Sequence, residues 1–185
     1  MITAHHLDME SLEAGLPGVL ESPRDEGELQ AIVIRPKTDA RERLNAVMLS
    51  PECGVHGDNW GSNPWSKNED GSANTETQAS IINSRLLDLI SGNNDAWELA
   101  GDNLIVDFDL SVDHVGPGTR LHIGDALLEV TGQEHLGCSK FLSRYGTDAI
   151  NFVNSEDGRR HNLRGVYARI IQGATVKIGD KVRKV

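Results

Sequence analysis

The stretch that decides the fold reads LHIGDALLEV at residues 121–130, and the last ten residues, 176–185, repeat its pattern as VKIGDKVRKV. In each copy, apolar and polar residues alternate on both sides of an Ile-Gly-Asp corner. Alternation with a period of two is typical of half-buried β-strands, and glycine followed by aspartate favours a tight turn. The repeat therefore predicts two strand–corner–strand units.

Further short strands are predicted around these units. Their segments are rich in Ile and Val and are bounded by turn residues, and they cover residues 29–35, 41–49, 103–110 and 161–171. Many short strands with frequent turn signals are typical of barrels. Since no linker interrupts the chain, we predict one domain over residues 1–185. Its fold class is mostly β (α+β), with a barrel core and a few short helices.

Helices are predicted at three places. Leucines recur near helical spacing over residues 5–20. Asn83 is a suitable cap for a short helix that Gly92 ends. A third helix is predicted to begin at Cys138 or Ser139 and to break at Gly146, with one or two further turns over residues 148–153.

Composition excludes several classes of function. The 185 residues carry a formal net charge of −10, and such a surface repels phosphate backbones, so we expect no nucleic-acid partner. Apolar runs are about four residues long, far below the roughly 20 needed to span a bilayer, so we expect no membrane association. The first twelve residues show no signal-peptide pattern. Two cysteines far apart are typical of reduced thiols, and we expect a cytoplasmic location.

The most informative segment reads QEHLGCSKF at residues 133–141. It places Cys138 at the start of a predicted helix, where unpaired N–H groups and the helix dipole stabilise a thiolate. Two interpretations stay open: Cys138 is a reactive thiol, or it is a small buried hydrophobe, as free cysteines often are.

Neighbouring residues favour the reactive interpretation. His135, Lys140 and Arg144 lie close in sequence and would add positive charge near the thiol. Gly137 would permit a tight turn or the close approach of a ligand. His135 and Cys138 do not form a structural zinc site, because that needs four ligands and the sequence offers no second Cys/His pair.

A long loop over residues 51–77 is the second candidate region. Loops of this length are often functional, and Trp60 and Trp65 indicate that this one folds back onto the body of the protein. Gly57, Asp58 and Asn59 either build turns or help to wall a ligand pocket beside the tryptophan. Cys53, in the same loop, is a weaker catalytic candidate than Cys138.

Arginines form the third candidate group. Arg159, Arg160 and Arg164 are a plausible anion site on an acidic protein, since guanidinium groups bind phosphate in bidentate fashion. For Arg159 and Arg160 we prefer a solvated hairpin tip at residues 157–158. Arg164 lies between apolar neighbours and keeps the anion-binding interpretation. Arg85 is interpreted as a helix residue that could face the same pocket.

An ordered set of segments resembles the MOSC domain, named for the C-terminal domain of molybdenum cofactor sulfurase. The set spans roughly residues 100–185 and reads GDNL at 101–104, IGDALLEV at 123–130, HLGCSKF at 135–141, LRGVYAR at 163–169 and IGD at 178–180. A looser match is GVHGDNW at residues 54–60. The resemblance implies a mostly β fold with a barrel-like core, in agreement with the predicted strands.

The resemblance also implies a function for the thiol. In the family, the cysteine corresponding to Cys138 is proposed to carry sulfur as a persulfide or to ligate molybdenum bound to a pterin cofactor, and family descriptions also mention pyridoxal phosphate. A soft thiolate suits both roles. Reduction of N-hydroxylated compounds is the activity implied if the molybdenum cofactor binds. The residues expected around the cofactor are His135, Gly137, Lys140, Arg144, Arg164, Gly57, Asp58, Asn59 and Asn103.

Two functional hypotheses follow. The first is a stand-alone MOSC protein that handles sulfur or the molybdenum cofactor through Cys138, with a small-molecule substrate and a protein that donates sulfur or electrons. The alternative is a non-catalytic carrier, or a module that binds small molecules or anions, with the same fold but no redox activity.

Overall fold

The structure is a computed structural model that describes residue 4, residues 6–92 and residues 94–185. The strands are β1 (Gly27–Ile34), β2 (Glu42–Leu44), β3 (Ala46–Ser50), β4 (Gly54–Val55), β5 (Ala79–Asn83), β6 (Leu104–Asp107), β7 (Arg120–Ile123), β8 (Ala126–Val130), β9 (Val166–Gln172), β10 (Ala174–Lys177) and β11 (Lys181–Lys184). The α-helices are α1 (Met9–Leu20), α2 (Ser84–Ser91), α3 (Val112–Val115), α4 (Ser139–Asn154) and α5 (Glu156–Arg160), and 3₁₀ turns occupy Thr75–Thr77 and Asn94–Ala100.

Within the described ranges, seven strands close into a barrel. Their order is β1-β6-β5-β9-β8-β7-β11, and β11 pairs back to the start of β1. The β5–β6 pair is parallel and the other pairs in the barrel are antiparallel. Strand β2 pairs with the end of β1, and β10, β3 and β4 form a separate three-stranded sheet. The predicted fold class, a mostly β (α+β) barrel with a few short helices, is confirmed.

The core has two parts because several strands are buried on both faces. Ile32 and Ile34 of β1 belong to the cluster inside the barrel, whereas Ala31 and Val33 pack outward against residues of the helices. The run of apolar residues at the end of β1 reflects this double burial, since a strand with one solvated face would alternate. The outer cluster joins α1, α2 and α4 to the barrel wall.

The two copies of the sequence repeat have different structural roles. The first forms the predicted hairpin of β7 and β8. The second does not close a hairpin: β10 pairs with β3 in the small sheet, whereas β11 pairs with β7 in the barrel. The two corners also touch, because a Cβ at Gly124 would lie 2.5 Å from Oδ2 of Asp180.

Two other strand predictions differ from the structure, and one strand was not predicted. The predicted strand over residues 41–49 is divided at Asn45 into β2 and β3. The last long strand begins at Val166, because residues 161–164 form a turn. Strand β5 was not predicted, since its polar Ser80 and Asn83 are buried and bonded to partners distant in sequence.

The helix predictions agree more closely with the structure than the strand predictions do. Asn83 caps α2 and Gly92 ends it with a φ of 75°. Helix α4 is interrupted at Gly146, whose φ is 88°. Helix α1 begins at Met9, and His5, where it was predicted to start, lies outside the described residues.

The hairpin tip predicted at residues 157–158 is wrong, because α5 occupies this position. The Ser155 hydroxyl accepts a hydrogen bond from the Gly158 N–H, and acidic residues fill the first turn of the helix. Among the described residues, no helix combines the length and the apolar character needed to cross a membrane.

Candidate functional site

A cleft of about 610 Å³ opens beside Cys138, and we call it the Cys138 cleft. Its walls come from the loop after β1, the long loop around residues 59–65, the irregular segment over residues 133–138 and the first half of α4. Seven of the predicted site residues line it: Asn59, His135, Gly137, Cys138, Lys140, Arg144 and Arg164.

Cys138 lies at the N-cap of α4 and is exposed. Its carbonyl accepts the N–H of Leu142 at 2.9 Å, while its thiol makes no capping hydrogen bond. The interpretation of Cys138 as a small buried hydrophobe is therefore wrong. As an exposed residue that lines the cleft, Cys138 is within reach of a ligand there.

The segment before Cys138 is fixed by the far end of the helix that follows it. Asn154 accepts the Gly137 N–H at 2.8 Å and donates to the Gly137 carbonyl at 3.3 Å. A Cβ at Gly137 would lie 2.8 Å from Cγ1 of Ile150, so the absence of a side chain permits close packing against α4. The close approach predicted at Gly137 is therefore the packing of this segment against helix α4, and not the approach of a ligand.

The cleft is basic although the protein is acidic. Among the described residues, its lining contains six cationic side chains and two carboxylates, Asp39 and Glu134. The six cations are Arg35, Lys37, Arg41, Lys140, Arg144 and Arg164. On a chain with a formal net charge of −10, this local excess favours an anionic ligand.

The floor of the cleft contains a buried ion pair. Nη1 of Arg164 donates to Oδ2 of Asp102 at 2.7 Å, and the two side chains are 7% and 1% exposed. The Arg164 guanidinium also lies over the ring of Phe141, 5.0 Å from its centroid. Burial raises the pKa of Asp102, against the opposing effect of Arg164.

His135 lies beside this pair and is nearly inaccessible. Its ring stacks on Tyr167 with centroids 4.1 Å apart, and Nε2 is 3.6 Å from Oδ1 of Asp102. Burial lowers the pKa of His135 well below 6.5, and repulsion from Arg164 and Arg35 lowers it further. His135 is therefore neutral at neutral pH, and the positive charge it was predicted to place near Cys138 is absent.

An aromatic wall continues from His135 towards solvent. The ring of Trp65, which is 61% exposed, lies 5.7 Å from the ring of Tyr167. Burial and the nearby Asp102 raise the pKa of Tyr167 to about 12, so its phenol keeps its proton at neutral pH. The long loop does fold back onto the body, as Trp60 is buried and Trp65 reaches the cleft.

Three of the predicted site residues do not line the cleft. They are Gly57, Asp58 and Asn103. Oδ2 of Asp58 accepts hydrogen bonds from the backbone and Nε of Arg35 and from the Asn103 amide. Burial acts to lower the pKa of Arg35, but its bonds to Asp58 outweigh this and raise it. Asp58 and Asn103 therefore position Arg35.

The mouth of the cleft holds a second group of charges. Lys140 donates to Asp39 at 2.8 Å, and Arg144 lies 3.7 Å from the same carboxylate. Arg41 lies over Gly101, where an added Cβ would be 3.3 Å from Nη2. Nε of Arg41 is buried and finds no hydrogen-bond partner in the described part of the chain. Burial lowers the pKa of Arg41, as does repulsion from Arg144 and Arg35.

Sequence reasoning missed four of the residues that build this site: Arg35, Arg41, Asp102 and Tyr167. Asp102 and Tyr167 stood inside segments quoted for the family resemblance, but neither showed a spacing that indicates chemistry. Arg35 and Arg41 flank the loop that follows β1, and loops at strand ends often carry binding residues. Their position at the ends of this loop was the signal that could have identified them as binding residues.

Other candidates lie elsewhere. Cys53 and Arg85 do not line the cleft, and Arg85 pairs with Asp107. Arg159 and Arg160 line a second cavity of about 400 Å³, which shares Arg164 and residues 133–136 with the cleft. In the described residues, no cluster of three or more His, Cys, Asp or Glu side chains could hold a metal ion.

Comparison with solved structures shows the fold. The YuaD protein from Bacillus subtilis superposes with a TM-score of 0.61 at 17% identity, over 88% of this chain and 97% of that one. YiiM from Geobacillus stearothermophilus gives a TM-score of 0.57 at 17% identity, over 86% and 75%. YiiM from Escherichia coli gives 0.53 at 18% identity, over 85% and 69%.

Sequence comparisons give the family. A search of curated proteins finds no significant match. The family model described as the MOSC domain matches residues 69–183, which is more than half of the chain and includes Cys138 and most of the cleft-lining residues. This match agrees with the resemblance seen in the ordered motifs and with the barrel. The chain belongs to the MOSC domain family.

Proposed function

We propose that the Cys138 cleft binds a molybdenum–pterin cofactor, with the Cys138 thiolate as a ligand to the metal. The observation that carries the proposal is the juxtaposition of an accessible thiol with six cationic side chains in one cleft. Thiolate is a soft ligand suited to a metal of this kind, and the cations match a cofactor that carries negative charge.

The residues present fit such a cofactor better than they fit a bare metal ion. In the described residues, no group of three or more His, Cys, Asp or Glu side chains could hold a metal ion, so Cys138 would have at most one such partner for a bare metal. A metal that arrives with the cofactor's own ligands removes this difficulty. The buried, unpaired Nε of Arg41 offers a hydrogen-bond donor that nothing in the described protein uses.

Each wall of the cleft has a distinct part in this proposal. Arg164 and Arg35 are held in fixed positions, since each is bonded to a buried carboxylate. The neutral imidazole of His135 and the protonated phenol of Tyr167 offer hydrogen bonds without adding charge. Cys138 supplies the soft ligand at the open side. When bound, the cofactor supplies two-electron redox chemistry.

The reaction we propose is reduction of an N-hydroxylated small molecule, with electrons from a partner protein. The cleft opens to solvent beside Cys138, so a small substrate can reach this side.

Pyridoxal phosphate, the other cofactor implied by the family, would need a lysine amine. Lys37 and Lys140 line the cleft, and Lys140 is engaged by Asp39.

A second candidate function is sulfur carriage as a persulfide on Cys138. The exposure of this thiol favours it, because a sulfur donor or acceptor protein must reach the atom directly. In this case the cations would stabilise the negative charge of the persulfide. A binding module without redox activity would use the same basic cleft and leave Cys138 unmodified.

The decisive experiment measures molybdenum and pterin content after expression in a cofactor-competent host supplied with molybdate. The wild type is compared with Cys138→Ala and with Cys53→Ala, a matched control because Cys53 is also exposed but lies outside the cleft. We expect near-stoichiometric molybdenum in the wild type and in Cys53→Ala, and its loss in Cys138→Ala.

Molybdenum absent from the wild type would contradict cofactor binding. Intact-mass analysis of the same samples then tests the second candidate: a gain of one sulfur atom in the wild type and in Cys53→Ala, but not in Cys138→Ala, would establish a persulfide. An unmodified thiol together with measurable anion binding would identify a binding module.

A further inference from the structure

The mouth of the cleft contains a carboxylate where an anionic ligand would be expected. Asp39 accepts a hydrogen bond from Nζ of Lys140 at 2.8 Å and lies 3.7 Å from Nη2 of Arg144. Arg41 acts on it as a third cation. The hydrogen bond to Lys140 and the charges of Lys140, Arg144 and Arg41 lower the pKa of Asp39, so it is an anion at neutral pH.

This carboxylate is weakly held. The side chains of Asp39 and Lys140 are 67% and 53% exposed, and exposed ion pairs contribute little because water and salt screen them. The backbone of Asp39 has a φ of 61°, a left-handed conformation that aspartate and asparagine adopt more readily than other non-glycine residues. Little free energy therefore opposes the release of Asp39 from the mouth.

The cations around Asp39 are not satisfied by it. Three positive side chains face one negative charge, and Nε of Arg41 is buried without a partner in the described residues. Repulsion from Arg144 and Arg35 acts on Arg41 against the attraction of Asp39 and Asp102. A group with two negative charges and several acceptor oxygens would neutralise these cations better than a single carboxylate does.

We propose that Asp39 is a built-in competing anion, whose carboxylate occupies the position of a dianionic group on the ligand and is displaced when the ligand binds. The ligand class is a phosphate monoester, which carries close to two negative charges at neutral pH. This inference rests on the proposed function, because it assumes that the cleft binds an anionic ligand. It makes Asp39 a determinant of which anions are accepted, since a weak anion does not displace it.

The test measures binding of phenyl phosphate by calorimetry at pH 7.5 and low ionic strength. In Asp39→Asn the competing charge is gone, while asparagine tolerates the left-handed backbone as aspartate does. We expect the variant to bind phenyl phosphate about two- to five-fold more tightly than the wild type, the range that loss of one exposed ion pair corresponds to. Asp39→Gly, which accepts the same backbone conformation, should show the same gain.

Glu134→Gln is the matched control, because Glu134 is an exposed carboxylate that also lines the cleft but forms no ion pair with another described residue. A smaller gain in this variant supports competition at the mouth. Equal gains in Asp39→Asn and Glu134→Gln would show a general effect of net charge and would overturn the inference.

The two proposals fail in distinguishable ways. If the wild type binds phenyl phosphate and Asp39→Asn binds it no more tightly, Asp39 is not a competitor, and the anion-binding cleft stands. If neither protein binds phenyl phosphate, the inference is wrong, and the molybdenum content of the wild type decides the cofactor proposal separately. Weaker binding in Asp39→Asn would show that Asp39 organises the cations and does not compete for them.

Discussion

Two ion pairs at opposite ends of the Cys138 cleft have almost the same geometry and very different surroundings. On the floor, Arg164 and Asp102 are 2.7 Å apart and their side chains are 7% and 1% exposed. At the mouth, Lys140 and Asp39 are 2.8 Å apart and are 53% and 67% exposed. Distance alone would rank the two as equal, and burial separates them.

The difference shows how one cleft can be both fixed and adaptable. A buried charge that loses its partner is strongly destabilising, so the floor pair cannot open without disrupting the fold. An exposed pair gains little and can rearrange when a ligand arrives. The floor therefore sets the shape of the site, and the mouth is free to respond to a ligand.

The largest expected effect comes from breaking the floor pair. Asp102→Ala leaves the Arg164 guanidinium buried without its carboxylate, and we expect the free energy of unfolding to fall by about 3–5 kcal/mol. Urea denaturation followed by circular dichroism measures this loss directly.

Replacing both partners is the control for that variant. The double substitution Asp102→Leu with Arg164→Met removes both charges and keeps the site filled, so most of the stability should return. If Asp102→Ala unfolds as readily as the wild type, or if the double variant is no more stable than Asp102→Ala, the floor pair does not hold the site together as described.

A second expectation concerns pH and uses His135, the neighbour of the floor pair. Its pKa is below 6.5 in the folded protein, so the unfolded chain takes up a proton first as the pH falls. The stability contributed by neutral His135 is complete above pH 6.5 and is lost as the pH falls from 6.5 towards the folded-state pKa. The slope is at most about 1.4 kcal/mol per pH unit, the value for one proton.

The measurement compares urea unfolding of the wild type and His135→Gln between pH 8 and pH 5. Glutamine cannot take up the proton, so the two stability curves should converge as the pH falls. Asp102 has a raised pKa and contributes with the opposite sign, and it is present in both proteins. Parallel curves would mean that folding leaves the pKa of His135 unchanged, and the neutral, buried imidazole described here would be wrong.

Much of the fold was predictable because its signals are local. Alternation around the first Ile-Gly-Asp corner predicted the β7–β8 hairpin, and Asn83 and Gly92 predicted both ends of α2. The second corner has nearly the same sequence, yet it directs the chain from one sheet to another. Which strand a segment pairs with depends on partners distant in sequence, and a local pattern carries no information about them.

The candidate site likewise combines features that follow from local sequence with features that depend on distant segments. The position of Cys138 at the start of a helix, with cations nearby in sequence, was predictable because consecutive residues determine it. The neutrality of His135 was not, because it depends on burial and on Arg164 and Arg35, which come from distant segments. Asp39 gave no signal at all. Its importance arises only when the fold places residues 101 positions apart within hydrogen-bonding distance.

The smallest expected effect comes from breaking the mouth pair. Asp39→Asn should change the free energy of unfolding by less than about 1 kcal/mol, because both side chains remain solvated after the change. The difference should vanish in urea titrations with 1 M sodium chloride, where the screening length is about 3 Å. The loss in Asp102→Ala should persist under the same conditions, since ions do not reach a buried charge. A salt-resistant loss in Asp39→Asn would mean that the mouth pair is structural, and the distinction between a fixed floor and an adaptable mouth would then be wrong.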